Sequence, residues 1–325
     1  MAVLLQVVIV SRVKAQIDPH FSQYYAYPLW LNPALTGVFD GDIRIMANYK
    51  DQWATINNAY QTTAVSADFK ATNKLSIGVN ILDESAGSAG FNYLTAYGSL
   101  SYVINVSDNN YKQVHFGVQA GIISRTFDIN KLQLDDQYNP LIGYDPSLPS
   151  NENFASNGVS VFDAGAGIYY DDSDPAEAAN IFGGVSLFHL NQPSDPFATE
   201  SAKSSLPMRL TVHGGVRLAA DEGIYFTPHF IYMRQQKAQE KDLGINSEFR
   251  ADNNNAFILG AMYRFNDAAI LDVGYHFSNT TIGLSYDLNT SALRTASNSQ
   301  GGIELSISYV FRGNSVNRDV VCPAF

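Results

Sequence analysis

From about residue 42 to residue 311 the chain alternates between apolar and polar side chains with a period of two, a strand pattern that a helix cannot use. The last segment shows it most clearly. Ile303, Leu305, Ile307, Tyr309 and Phe311 share one face, and Glu304, Ser306 and Ser308 share the other. Ile282, Leu284, Tyr286 and Leu288 stand against Gly283, Ser285 and Asp287 in the same way. At the front of the pattern Ile43, Ile45, Ala47 and Tyr49 oppose Arg44, Asn48 and Lys50. Such strands have one face for an apolar solvent and one for a polar interior. Composition agrees: charged residues make up 16% of the 325, against roughly 25% in an average soluble chain, while 19 Tyr and 19 Phe enrich the apolar faces.

Read along its length, the pattern predicts roughly fourteen strands of about 8–14 residues, near the length a tilted strand needs to cross a bilayer. Their centres fall near residues 47, 65, 78, 98, 118, 165, 184, 213, 228, 246, 260, 272, 283 and 307. Even-numbered links read as short, including Thr72-Asn73, Asp221-Glu222 and Asn279-Thr280. Most odd-numbered links read as longer, at about 127–158, 191–206, 234–242 and 289–301; the one near Asn266-Asp267 is a short exception. Short turns at one end and long loops at the other mark an outer-membrane barrel. Closure follows from the solvent: lipid offers no hydrogen bonds, so every strand edge needs a partner. The expected fold is an all-β transmembrane antiparallel barrel over 42–311, bathed in outer-membrane lipid.

Residues 1–15 carry an apolar run, Ala2 to Val10, and then Val13-Lys14-Ala15, which reads as a secretory signal cut after Ala15. Residues 16–41 do not alternate, and Pro19, Pro28 and Pro33 make a central strand improbable. Their apolar and aromatic content requires burial, and the barrel lumen or its mouth is the available place. The segment is therefore expected to act as a plug or to touch a partner. Residues 312–325 form a polar tail expected in the periplasm. Tyr309 and Phe311 end the final strand in the manner of a signal for barrel assembly.

The stretch Asp18-Pro19-His20-Phe21-Ser22-Gln23-Tyr24, then Pro28-Leu29, then Leu31-Asn32-Pro33-Ala34-Leu35-Thr36-Gly37 resembles the N-terminal signature of the PorP/SprF family. Cys322-Pro323-Ala324-Phe325 is similar to that family's ending. The resemblance implies a non-enzymatic outer-membrane component of the type IX secretion and gliding machinery of Bacteroidota. It also implies, as partners, periplasmic secretion components and a secreted cargo or adhesin with a C-terminal sorting domain. Asp18, Pro19, Phe21, Ser22, Gln23, Tyr24, Asn32, Pro33, Ala34 and Gly37 become the candidate contacts for plug or partner. Long-chain fatty acid channels also resemble the pattern, with fourteen strands, an N-terminal hatch and an Asn-Pro-Ala element. A transporter of small hydrophobic compounds therefore stays open as the alternative.

Other chemistries find little support. A net charge of −11 argues against nucleic acid, since no surplus of Lys and Arg exists to displace counterions. One cysteine, Cys322, excludes an internal disulfide and a Cys-based zinc site. The six histidines are spread over separate segments without metal-ligand spacing, so neither a metal nor a cofactor is expected. Gly165-Ala166-Gly167 lacks the third glycine and the helix of a nucleotide fingerprint and is read as a bend or as room for the plug. No Gly-x-Ser-x-Gly elbow is present, and no catalytic residue is assigned.

Overall fold

A computed structural model describes residues 18–313 except 54–59, 88, 129–130, 140, 146, 150–156, 195–204, 253 and 296. The expected signal at 1–15 and the ending at 322–325 lie outside these residues. β1 (Ile43–Gln52), β2 (Tyr60–Lys70), β3 (Leu75–Ala86), β4 (Phe91–Asn105) and β5 (Lys112–Thr126) form the first antiparallel run. In the long link after β5 sits a small hairpin, β6 (Tyr138–Asn139) and β7 (Gly143–Tyr144). The wall resumes with β8 (Gly158–Asp172), β9 (Ala179–Phe188), β10 (Arg209–Asp221), β11 (Ile224–Gln235) and β12 (Ala238–Asp252). It ends with β13 (Asn255–Arg264), β14 (Ala268–Phe277), β15 (Thr280–Asn289) and β16 (Gln300–Phe311). β16 then pairs back onto β1, from Ile43↔Phe311 to Gln52↔Gly302, and closes fourteen strands into a barrel. Each of the fourteen expected strand centres falls inside one of these strands.

The layering is inverted relative to a water-soluble protein. On β3, Val79 and Ile81 are 54% and 52% exposed, whereas Asn80 between them is 1% exposed. The same holds on β16, where Leu305 and Ile307 face out and Glu304 and Ser306 are buried. Two apolar clusters do form inside, and both are built on residues 18–39. One gathers Tyr25, Leu31, Leu35 and Val38 with Tyr169, Ile231 and Ile270. The other gathers Phe21, Tyr27 and Trp30 with Leu82, Tyr93, Tyr97 and Ile123.

One expected loop is corrected. The stretch 234–242 is not a long link: β11 runs to Gln235, β12 starts at Ala238, and only Gln236 and Lys237 join them. Gln236 takes a φ of +53° to make this tight turn. The alternation fades here because both strands extend past the apolar belt, where the outward face is wet too, although their pairing continues from Met233↔Glu240 to Gln235↔Ala238. Consequently β11 to β14 carry only short turns at the end of the barrel where the links 127–157, 189–208 and 290–299 are long.

Candidate functional site in the barrel lumen

Residues 18–42 run through the barrel. Asp18 meets His189, just beyond β9, and Arg209, the first residue of β10, both at the long-link end. Gly37 meets Asp68 near the short-turn end of β2. Between them the chain makes a 3-10 turn at Tyr24–Ala26, one helical turn at Pro28–Leu31 (α1) and a second 3-10 turn at Pro33–Leu35. Pro28 and Pro33 open their turns, where the missing N–H costs nothing.

A buried irregular segment leaves backbone groups without partners, and each must find one. Here the lumen side chains supply them. The Ser186 hydroxyl donates to the Leu31 carbonyl at 2.7 Å, Arg209 to Trp30 at 3.1 Å, Ser101 to Ala34 at 3.1 Å, and Lys50 to His20 at 3.1 Å. Lys70 donates to Phe39 at 2.6 Å, and Arg44 reaches both Leu35 and Val38. In return the Glu304 carboxylate accepts the N–H groups of Ser22 and Gln23 at 2.7 and 3.1 Å. The polar inner faces of the strands are thus the hydrogen-bond complement of this segment.

At the long-link end, Asp18 lies 2.7 Å from His189 and 3.1 Å from Arg209, with all three side chains almost fully buried. Burial alone would raise the Asp18 carboxyl, but the charges of His189 and Arg209 outweigh it and hold the group below the usual carboxylate range. Burial likewise pulls His189 down, while Asp18 and Asp163 pull harder and raise it to about 9. A second group surrounds Ser22. Its hydroxyl donates to Asp287 at 2.7 Å, beside Lys50 and Arg264. His20 is held well below its ordinary value, first by burial and then by the Lys50 and Arg264 charges.

In the middle, Tyr24 touches His229 at 2.6 Å and Tyr25 donates to Asp272 at 2.9 Å. Asn32 accepts the Ala34 N–H, capping the second 3-10 turn, and its amide reaches the Ile168 carbonyl and the His213 ring. A Cβ at Gly117 on β5 would fall on the backbone joining Pro33 to Ala34, so the Asn-Pro-Ala turn fits only because that wall position has no side chain. At the short-turn end Arg44 grips Asp68 through two hydrogen bonds, 3.0 and 2.8 Å, while Gly37 donates its N–H to the same carboxylate. Gly37 has a φ of +81°, a conformation glycine adopts without a Cβ penalty.

Every sequence-predicted residue from Asp18 to Gly37 therefore lies in this interior and is buried or nearly so. Pro19 accepts the Trp30 indole N–H at 3.0 Å, and Phe21 meets Tyr27 edge to face. Gln23 bridges Ser285, Ser306 and the Glu304 carbonyl. Tyr309 and Phe311 sit elsewhere, outward on β16 at the short-turn end, with their rings 4.7 Å apart. Sequence reasoning did not single out Arg44, Lys50, Asp68, His189, Arg209 or Glu304 as anchors. For the strand residues among them the signal was present: an ionised side chain on an inward face needs a partner.

The model of the type IX secretion system membrane protein family PorP/SprF matches residues 13–309. The chain belongs to the PorP/SprF family. Its barrel also resembles solved structures: the Ralstonia pickettii toluene transporter TbuX, at a TM-score of 0.54 and 14% identity over 88% of this chain and 94% of that one. The CymD monoaromatic hydrocarbon channel is similar at 0.52 and 12%, over 89% and 94%. At these identities the likeness shows the fold alone. No curated relative matches this PorP/SprF chain. As a PorP/SprF protein it is a membrane protein, and its barrel fits an outer membrane.

Proposed function

We propose that this chain is a non-enzymatic, plugged component of the type IX secretion system that supports export or surface attachment of cargo through protein–protein contacts. The observation that carries this reading, beside family membership, is the segment 18–42 held by ion pairs and hydrogen bonds at both ends of the lumen. A barrel filled this way offers its rims and links to partners and not its interior. Long links face the cell exterior in this class of barrel. The cargo's sorting domain, as on an adhesin, accordingly meets the long-link end, and periplasmic secretion components meet the short-turn end and the tail. Residues 1–15 direct export.

Deleting the gene tests this. The expected result is an intact outer membrane with particular surface proteins held inside the cell or lost to the medium; unchanged cargo localisation overturns the reading. The hydrocarbon-channel alternative draws on fold likeness, an N-terminal hatch and the Asn-Pro-Ala element, and the apolar part of the interior here is already filled by residues 18–39 where a lipophilic solute needs an open path. Selective uptake of a lipophilic tracer into liposomes bearing the purified protein would revive it.

A further inference from the structure

We propose that the long-link rim of β11–β13 carries a binding site for the phosphate groups of a glycolipid in the surrounding membrane. On this rim the charges are sorted by face. Glu240 and Asp242 of β12 turn inward to Arg264, at 3.7 and 3.4 Å, and Asp267 joins the same guanidinium at 3.3 Å. Arg234 and Lys241, on the outward faces of β11 and β12, are exposed, and Lys237 is exposed in the turn between them. The register Tyr232↔Lys241 and Arg234↔Gln239 makes Arg234 and Lys241 diagonal neighbours on one face, a separation that one headgroup spans. Arg234 donates through Nε to the Gln236 carbonyl, and among the described residues none of these three cations forms an ion pair.

The surface below them is membrane surface. Lys241 sits beside Phe265, whose N–H donates to the Lys241 carbonyl at 2.9 Å. Phe265 packs edge to face on Tyr263 at 5.2 Å, and Tyr263 pairs with the outward Leu243. Leu243, Tyr263 and Phe265 are all exposed on this face. Aromatic rings at this height mark the boundary between acyl chains and headgroups, where cations meet lipid phosphate. The two turns at this place, 236–237 and 265–267, are short. A cleft of about 520 Å³ opens there, lined by Arg234, Lys237 and Lys241 together with the inward Arg209, Glu240 and Arg264. At the opposite end of the barrel the outward Lys112 is neutralised by Asp172 and Glu177 at 3.3 and 2.8 Å. At the long-link rim Arg234, Lys237 and Lys241 are left for an anion from outside, and continuity with the apolar belt makes that anion a lipid headgroup.

The test uses the full chain in mild detergent, titrated with bis-phosphorylated lipid A and followed by native mass spectrometry. The expected result is a bound lipid whose affinity falls about fivefold for each cation removed. It should fall roughly a hundredfold in the triple variant Arg234→Ser, Lys237→Ser, Lys241→Ser. Dephosphorylated lipid A should bind as weakly to the wild type as intact lipid A binds to that variant. Lys74→Ser, at the short-turn end, should change nothing. Equal affinity for phosphorylated and dephosphorylated lipid, or an unaffected triple variant, overturns the proposal. Full competition by inorganic phosphate or by an acidic peptide at equal concentration also overturns it, because the site then reads a free anion or a protein. Among the described residues, Arg234, Lys237 and Lys241 make none of the hydrogen bonds or ion pairs that hold residues 18–42, so the result stands apart from the secretion role.

Discussion

Asp18 and His189, 171 positions apart in the chain, meet at 2.7 Å inside the barrel, and Arg209 closes on the same carboxylate at 3.1 Å. This contact ties the start of the lumen segment to the long link after β9. It also places two cationic side chains on one carboxylate, with Asp163 on the far side of His189 at 3.0 Å, in a site with almost no solvent.

Replacing Asp18 by Asn keeps the shape and removes the charge. Breaking one member of a buried ionic group typically costs about 3–5 kcal/mol. Asp18→Asn is therefore expected to lower the thermal midpoint of the folded barrel in detergent and to expose the 18–42 segment to added protease. An unchanged midpoint and digestion pattern would show that the contact contributes nothing.

The same group sets a pH dependence. Asp18 is depressed, so its contribution is present above the ordinary carboxylate pKa and is lost as pH falls through its folded value. His189 is raised to about 9, so its contribution is full below the ordinary histidine pKa near 6.5 and is lost as pH rises toward 9. Retention of the segment should peak in mildly acid solution and weaken between about pH 6.5 and 9. Protease accessibility across that range checks it, and His189→Gln should flatten the alkaline limb.

Gly117→Val probes the Asn-Pro-Ala turn. The added side chain would collide with the Pro33–Ala34 backbone, so the turn must leave the wall. Planar bilayer recordings should then find ion conductance through the variant barrel and little through the wild type. Equal conductance would mean that the lumen segment does not seal the passage.

Phe311→Ala removes the terminal outward ring that packs on Tyr309 at 4.7 Å. Because this ring lies on the lipid face and not among the lumen contacts, the expected effect is on assembly. The amount of folded, heat-modifiable protein in the outer membrane should drop several-fold while the lumen segment stays protease-resistant. A normal yield would remove Phe311 from the assembly signal.

Most of the wall could be read in advance, because the outward and inward faces meet different surroundings and residues such as Leu305 and Ser306 report them directly. The misreading at 234–242 has the same origin: beyond the belt both faces are wet, and Arg234 and Lys241 no longer mark a strand. The lumen segment was legible only in kind. Its prolines and aromatics required burial without repeat, but nothing local to Ser22 points to Asp287, and nothing local to Gly37 points to Asp68.

The amino-acid sequence by itself determined that the chain forms a closed wall with apolar residues outward, because a period of two between two solvents has few other solutions. Tertiary structure alone decided how residues 18–42 thread that wall, with Asp18 at the long-link end and Gly37 at the short-turn end. An irregular backbone in a dry interior takes its hydrogen bonds from whichever side chains closure brings near, and those lie up to 282 positions away.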